Sequence, residues 1–365
     1  MKENLFHEFP PNTLHEWLEK VEKDLKGKSF DELYWQADEN ILLRPFYHPD
    51  EIEVPPVSLM DKTDNNWKIG TNITIFSTKK ANRQLLHAIS LGVNAPNLVI
   101  NKVFSVKSLV KIFENVNLDD IDLHFTMVRM EPEPVKFLKN LEQALIDIGH
   151  APAKINGSLT FHLKNPSYKE LLAWKNEHLP GFRIFTLECK TVGVSMVAQQ
   201  KAIIRSGIDL IEKNATGKAD IIAINDNIQF SIAIGAKFIQ EIAKIRAVRL
   251  LWANVMQSFG IDDFTMPPVF VNFDDIAFDE NPYTNMIRAT TMAMSAAIAS
   301  ADRINVLPAN ANFAKPDDFL RRIAINLQNI LKMESHFDKV VDAGSGSYIL
   351  EKLTGEFCEN VWNEI

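Results

Sequence analysis

Glu188 ends an apolar run, Arg183 to Glu188, and is followed by Cys189 and Lys190. A carboxylate at the carboxyl end of a buried strand suits general acid or base work if burial raises its pKa. The same carboxylate also suits a plain ion pair with a nearby lysine or arginine, and both readings stay open. Asp122-Leu123-His124 sets an acid and an imidazole two residues apart within an extended run. No other histidine stands at metal-ligand spacing, so His124 reads as a packed or strand-end histidine and no metal site is expected. Gly344-Ser345-Gly346-Ser347 follows the last strand candidate and fits neither the dinucleotide nor the P-loop fingerprint. Cys189 and Cys358 form no Cys-x-x-Cys and read as free thiols of a reducing compartment.

The elements that must position these groups alternate along the chain. Strand candidates are Asn72 to Phe76, Asn97 to Asn101, Asp122 to Met127, Ser158 to Leu163, Arg183 to Glu188, Ile228 to Ile234, Pro268 to Asn272 and Arg303 to Leu307. Each is short, branched or aromatic, and followed by a helical pattern: Lys79 to Leu91, Val106 to Asn115, Pro134 to Ile148, Tyr168 to His178, Gly193 to Lys213, Ala236 to Ser258, Tyr283 to Ser300 and Pro316 to Met333. Strands buried on both faces read as continuous apolar runs. Eight strand-helix units predict an α/β fold, a (β/α)8 TIM barrel over residues 65–365, with a doubly wound open sheet as the alternative. In the Ala236 to Ser258 helix, Phe238, Ile242, Ile245, Trp252 and Met256 form the predicted apolar stripe. Lys237, Glu241 and Lys244 lie one turn apart, as solvated pairs or braces to neighbouring helices.

Residues 1–64 form a different kind of segment, an arm and linker. Thr13 is placed to cap a helix carrying Trp17, Val21 and Leu25, and Gly27 to stop it. Phe30, Leu33, Tyr34, Trp35, Leu43, Phe46 and Tyr47 are too few to enclose a core, so the arm must pack on its own barrel or wrap a partner subunit. Asp50 to Asp64, with Pro55 and Pro56, reads as linker. A formal net charge of -8 without a basic stripe opposes nucleic-acid binding. The amino terminus lacks an apolar signal core and no run approaches a membrane span, so the predicted location is the cytoplasm.

Four stretches together carry a resemblance. They are Phe9-Pro10-Pro11 with Trp17, Leu25-Lys26-Gly27 and Leu43 to Tyr47; Ile234-Gly235 through Glu241, Lys244, Arg246, Arg249 and Trp252; Asn281 to Asn285 with Ile287 to Thr290; and Gly346-Ser347-Tyr348. In this order they resemble the barrel of the methylmalonyl-CoA mutase family, most closely its small, non-catalytic subunit. The resemblance implies an acyl-CoA along the barrel axis and adenosylcobalamin over one end, the cofactor performing the radical rearrangement.

Several positions depart from the family pattern. With Val192-Gly193 set against the start of the family's next helix, Leu187 and Glu188 fall where the catalytic Tyr-His pair stands; leucine cannot donate a hydrogen bond and glutamate brings a charge. Val271 falls at a family glutamine and Asp279 at the glutamate that contacts the adenosyl group. Pro55 to Trp67 contains no counterpart of the family's tyrosine-bearing loop. Asp122-Leu123-His124 only partly matches the cobalt-ligating Asp-x-His-x-x-Gly, since Met127 replaces the glycine, and the cobalamin-binding domain is expected to be absent from this chain.

The resemblance therefore implies no catalytic residue and no cofactor bound here. Glu188, Val271 and Asp279 are the substrate-side candidates, and adenosylcobalamin is expected in a catalytic large subunit, the heterodimer partner. A homodimer, an active barrel served by a cobalamin domain on another chain, and an acyl-CoA-binding scaffold are the alternatives.

Overall fold

The computed structural model describes residues 12–49, 62–128, 133–161, 168–189, 194–314 and 317–365. The parallel strands β3 (Lys68–Thr74), β4 (Ala95–Ile100), β5 (Leu123–Met127) and β6 (Gly157–Thr160) are followed by β7 (Phe182–Arg183) and β8 (Phe185–Glu188), then β9 (Ile228–Ile234), β10 (Val269–Phe273) and β11 (Arg303–Asn305). They form one sheet in the order β7-β6-β5-β4-β3-β11-β10-β9-β8. Its two ends, β7 and β8, are separated only by Ile184, so they are two halves of one stave. Phe182 and Arg183 pair with β6, whereas Phe185 to Glu188 pair with β9. The barrel therefore closes through a break at Ile184, and the eight staves of the predicted barrel are present.

All eight predicted strands and their helices occur, most with shifted ends. The first strand begins at Lys68 rather than Asn72, because Trp67, buried on the core, leads into it. The helices are α2 (Thr78–Ser90), α3 (Val106–Ile112), α4 (Pro134–Asp147), α5 (Tyr168–His178), α6 (Met196–Asn214), α8 (Phe238–Ser258), α9 (Pro282–Ile298) and α10 (Asp318–Met333). Two further helices were not in the eight-unit pattern. Lys218–Asn225 forms α7, and Tyr348–Trp362 forms α11, the last helix implied by Gly346-Ser347-Tyr348. No described helix is long and apolar enough to cross a membrane.

Helix α8 corrects the expectation of solvated charges. It packs between the barrel and α11, with α6 and α9 alongside. Its charged residues Glu241, Lys244, Arg246 and Arg249 are all buried. Lys244 Nζ lies 2.6 Å from Glu241 Oε2 and donates to the Ala233 carbonyl at 2.7 Å. Arg246 donates from Nε to both oxygens of Asp342 (3.0 and 3.1 Å), from Nη2 to Glu351 (2.8 Å) and from Nη1 to Thr354 (3.1 Å). Burial opposes its charge, but the hydrogen bond it donates to Glu351 and the attraction of Asp342 outweigh burial and raise its pKa. Trp252 fills the space above Phe230 edge-on and donates to Asn225 Oδ1 at 2.9 Å.

The arm divides in two. In α1 (Leu14–Leu25) Thr13 and Glu16 form a reciprocal capping box, and Lys26 and Gly27, both at positive φ, end the helix as expected. No residue of α1 is buried; Trp17 stacks on Phe46 at 4.7 Å. The antiparallel hairpin β1 (Trp35–Asp38) and β2 (Ile41–Leu43) instead joins the core through Ala37, Ile41 and Leu43. Its Asp38 accepts from the Val197 amide in the first turn of α6 at 2.9 Å. Residues 1–11, and 50–61 of the expected linker, lie outside the described residues.

Gly207 in α6 lets Trp252 and Leu187 approach the helix backbone. A methyl group there would sit 2.8 Å from Trp252 Cη2 and 2.9 Å from Leu187 Cδ1. Gly207→Ala is therefore expected to destabilise the protein by about 1–3 kcal/mol despite the better helix propensity of alanine. Urea unfolding followed by circular dichroism checks the sign; a more stable variant would show that Trp252 has room to retreat.

Candidate functional site

Alternation along each stave sends one residue to the axis and the next to the helix layer. The axial face is polar nearly all round. Asn97 Nδ2 donates to Asn72 at 2.9 Å and Thr126 Oγ1 to Asn97 at 3.1 Å, linking β3, β4 and β5. Thr160 and Thr186 hydroxyls lie 2.9 Å apart, and Gln229 Nε2 donates to Thr186 at 2.9 Å, linking β6, β8 and β9. Asn272 Nδ2 donates to Ser231 at 3.1 Å and Asn305 Nδ2 to Asn272 at 3.1 Å, linking β9, β10 and β11. These side chains brace the barrel from stave to stave.

One layer nearer the strand starts, the axis is filled. His124 on β5 meets Phe270 on β10 edge-on at 5.0 Å, and the Arg303 guanidinium of β11 lies 4.0 Å from the Phe270 ring centre. Strands β5 and β10 stand on opposite sides of the barrel, so the His124–Phe270 contact crosses the axis, whereas Arg303 reaches Phe270 from the neighbouring strand. His124 Nδ1 and Ser158 Oγ are 2.8 Å apart. His124, Ser158, Gln229, Phe270 and Arg303 are all buried, whereas Asn72, Thr126, Thr160, Thr186 and Asn272 above them are partly exposed. The axis is a polar cup facing the carboxyl ends of the strands and floored by aromatic and cationic side chains.

Electrostatics sharpen that description. Burial, with Arg303 and Lys68 adding repulsion, holds the His124 imidazole well below its usual range, so it is neutral. Burial also lowers Arg303 to about 9, and Asp122 is the carboxylate that opposes this. Arg303 Nε and Nη1 are buried without a hydrogen-bond partner.

The sequence-predicted residues are scattered around this cup. Glu188, last in β8, falls on the axial side by alternation, at the mouth. Leu187 faces outward onto Gly207 of α6 and does not line the axis. Val271 likewise lies in the helix layer, since its neighbours Phe270 and Asn272 are the axial residues. Asp279 sits beyond β10 with Oδ2 2.6 Å from Arg288 Nη1, and its Oδ1 accepts from the Asn281 amide at 2.7 Å. That backbone bond, then Arg288, lowers its pKa. Lys190, Val192 and Gly193 lie outside the described residues. Among the described residues no cluster of histidine, cysteine, aspartate or glutamate could hold a metal ion. Sequence reading missed Arg303, Gln229, Asn272 and Asn305; their signal was the polar residue at every second position of strands such as Arg303-Ile304-Asn305.

A closed parallel barrel with a polar axis and surrounding helices defines an α/β-barrel protein. The chain belongs to the methylmalonyl-CoA mutase family, whose profile matches residues 158–365. It is 29% identical to the methylmalonyl-CoA mutase small subunit of Porphyromonas gingivalis over 99% of this chain and 63% of that one. The Streptomyces virginiae small subunit is 25% identical over 99% of this chain and 64% of its own length. The P. gingivalis large subunit is 26% identical over 54% of this chain and 28% of that one. The chain thus spans less than two thirds of the small subunits it matches.

A neutral buried His124 makes stability depend on pH in a definite direction. Because its folded pKa lies below the unfolded value of 6.5, the unfolded state takes up the proton first, and stability falls as pH drops below about 6.5. His124→Asn, which keeps a donor near Ser158, should flatten the unfolding free energy between about pH 7 and pH 5, a range that brackets the titration of an ordinary imidazole. An unchanged slope in the variant would assign the acid sensitivity elsewhere.

Proposed function

We propose that this chain is a non-catalytic barrel subunit of a methylmalonyl-CoA mutase, acting by association with a catalytic, adenosylcobalamin-dependent large subunit in the cytoplasm. The observation that carries the reading is the filled floor of the barrel. An acyl-CoA threaded along the axis needs a continuous channel, and His124, Phe270 and Arg303 cross it. The small-subunit relatives, which match nearly the whole chain, support the same reading.

The residues do not fit a cobalamin site of the family kind. His124 is buried and engaged by Ser158, so its imidazole cannot present a lone pair to cobalt at the surface. Asp279, at the position implied to meet the adenosyl group, is drawn into its own turn by Asn281 and Arg288. No reaction step is therefore assigned to this chain.

The arm supports the partnership. Leu33, Trp35, Leu42 and Phe46 are exposed on the segment that runs from α1 through the hairpin. Several exposed apolar side chains on one short segment favour a protein partner over water. In this reading the hairpin anchors the arm to its own barrel and α1 clasps the large subunit; a homodimer would use the same surface.

Co-expression with a mutase large-subunit homologue should give a stable one-to-one complex by light scattering. In that complex, Glu188→Gln and Asp279→Asn in this chain should leave methylmalonyl-CoA turnover unchanged, and the isolated chain should give no calorimetric heat with propionyl-CoA. Loss of turnover in either variant would instead favour an active barrel served by a cobalamin domain on another chain. Propionyl-CoA binding to the isolated chain would favour an acyl-CoA scaffold.

A further inference from the structure

We propose that the cup of the barrel binds a short monocarboxylate, its carboxylate anchored by Arg303 at the floor. Two independent features meet there. The upper part of the axis is polar, and its residues Thr126, Thr160, Thr186 and Asn272 keep partial exposure although they face inward. Beneath them Arg303, only 6% exposed, leaves Nε and Nη1 with no acceptor. A buried guanidinium with unmet donors is costly, and native proteins rarely leave one without a protein group, a water or a bound ion as acceptor.

Charge and shape select the guest. The titratable groups around the floor are His124 on β5, Asp122 before it, Lys68 at the start of β3 and Arg303 itself. Lys68 Nζ lies 3.7 Å from Asp122, so this pair is nearly neutral and Arg303 supplies one uncompensated charge. A monoanion balances it; a phosphate dianion would meet Asp122 with excess charge and find no backbone amides turned towards it. Phe270 beside the guanidinium and the methyl groups of the three threonines suit a short alkyl chain. The well from the floor layer to the threonine layer is two residues deep, roughly 7 Å along the strand. Gln229 Oε1 and Asn305 Oδ1, buried acceptors without donors, would bond the water that enters with the acid. The site is separate from the proposed subunit role, since it needs neither a large subunit nor a thioester.

The test uses the full chain with sodium propionate, sodium phosphate and propionyl-CoA as probes. Propionate should raise the melting temperature saturably and shift the His124 ring resonances, assigned by their loss in His124→Asn; phosphate at equal ionic strength should do neither. Arg303→Gln should abolish both effects. That variant should also be at least as stable as the parent without ligand, because a buried charge has been removed. Arg303→Lys, which keeps the charge on a shorter head, should bind propionate more weakly and guards against misfolding of the glutamine variant. No saturable response in the parent, or an equal response in Arg303→Gln, would overturn the proposal. A response to propionyl-CoA instead would overturn the closed-floor reading of the subunit without assigning a carboxylate to Arg303.

Discussion

The architecture depends on one buried ionic helix. Helix α8 carries Glu241, Lys244, Arg246 and Arg249 within the protein, where an unpaired charge costs several kcal/mol. Each must therefore find partners on the elements around it, and those partners fix the assembly. Arg246 holds Asp342 ahead of α11 and Glu351 and Thr354 within it. Arg249 donates to the carbonyls of Ala299 and Ser300 at the end of α9, where a cation also meets the negative end of the helix dipole. Asp302, 3.6 Å from Arg249, accepts from the Val269 amide at the start of β10 and pairs with Lys62. Two arginines one turn apart thus connect α8, α9, α11 and two adjacent staves.

That arrangement bears directly on the cup. Asp302 precedes Arg303, and Val269 precedes Phe270, so the Arg249 network sets the register in which β10 and β11 present the two floor residues. The Cα pairing of Phe270 with Arg303 then places guanidinium and ring on the same side of the sheet. The floor is consequently built from helix-layer electrostatics on one side and from His124 and Ser158 on the other. Apolar packing alone would hold the staves; it would not choose which polar residues meet at the axis.

The staves and helices were legible because buried strands and amphipathic helices leave periodic patterns. Ile228 to Ile234 and Tyr168 to His178 were found with the ends that the structure gives them. Where the pattern misled, tertiary packing was the reason. Glu241 and Lys244 have the spacing of a surface ion pair, and only the packing of α8 against β9 and α6 turns that face inward. The break at Ile184 was invisible because one stave serving two neighbours reads as one apolar run. The candidate site was legible only in part. Glu188 falls on the axial side, but Leu187 and Val271 face the helices, and side-chain direction depends on register that similarity to other sequences transfers only to within a residue. Arg303 and Phe270 went unnoticed because contacts between staves join residues far apart in sequence.

Family membership and activity rest on different residues here. The stretches most similar to the mutases include the α8 arginines and Asn285, whose side chain donates to the carbonyls of Asp279 and Ala309 and ties the turn after β10 to the turn after β11. These are framework interactions, and they would persist whatever occupied the axis. A carboxylate that already serves its own turn, as Asp279 does with Asn281 and Arg288, is held in place by the same bonds that occupy its oxygens. Likewise the ring and guanidinium that fill the floor gain their contacts from each other. A barrel can therefore keep its family framework while its axis is given over to other contacts, because the groups that fix the framework lie between helices and those that define the axis lie inside the sheet.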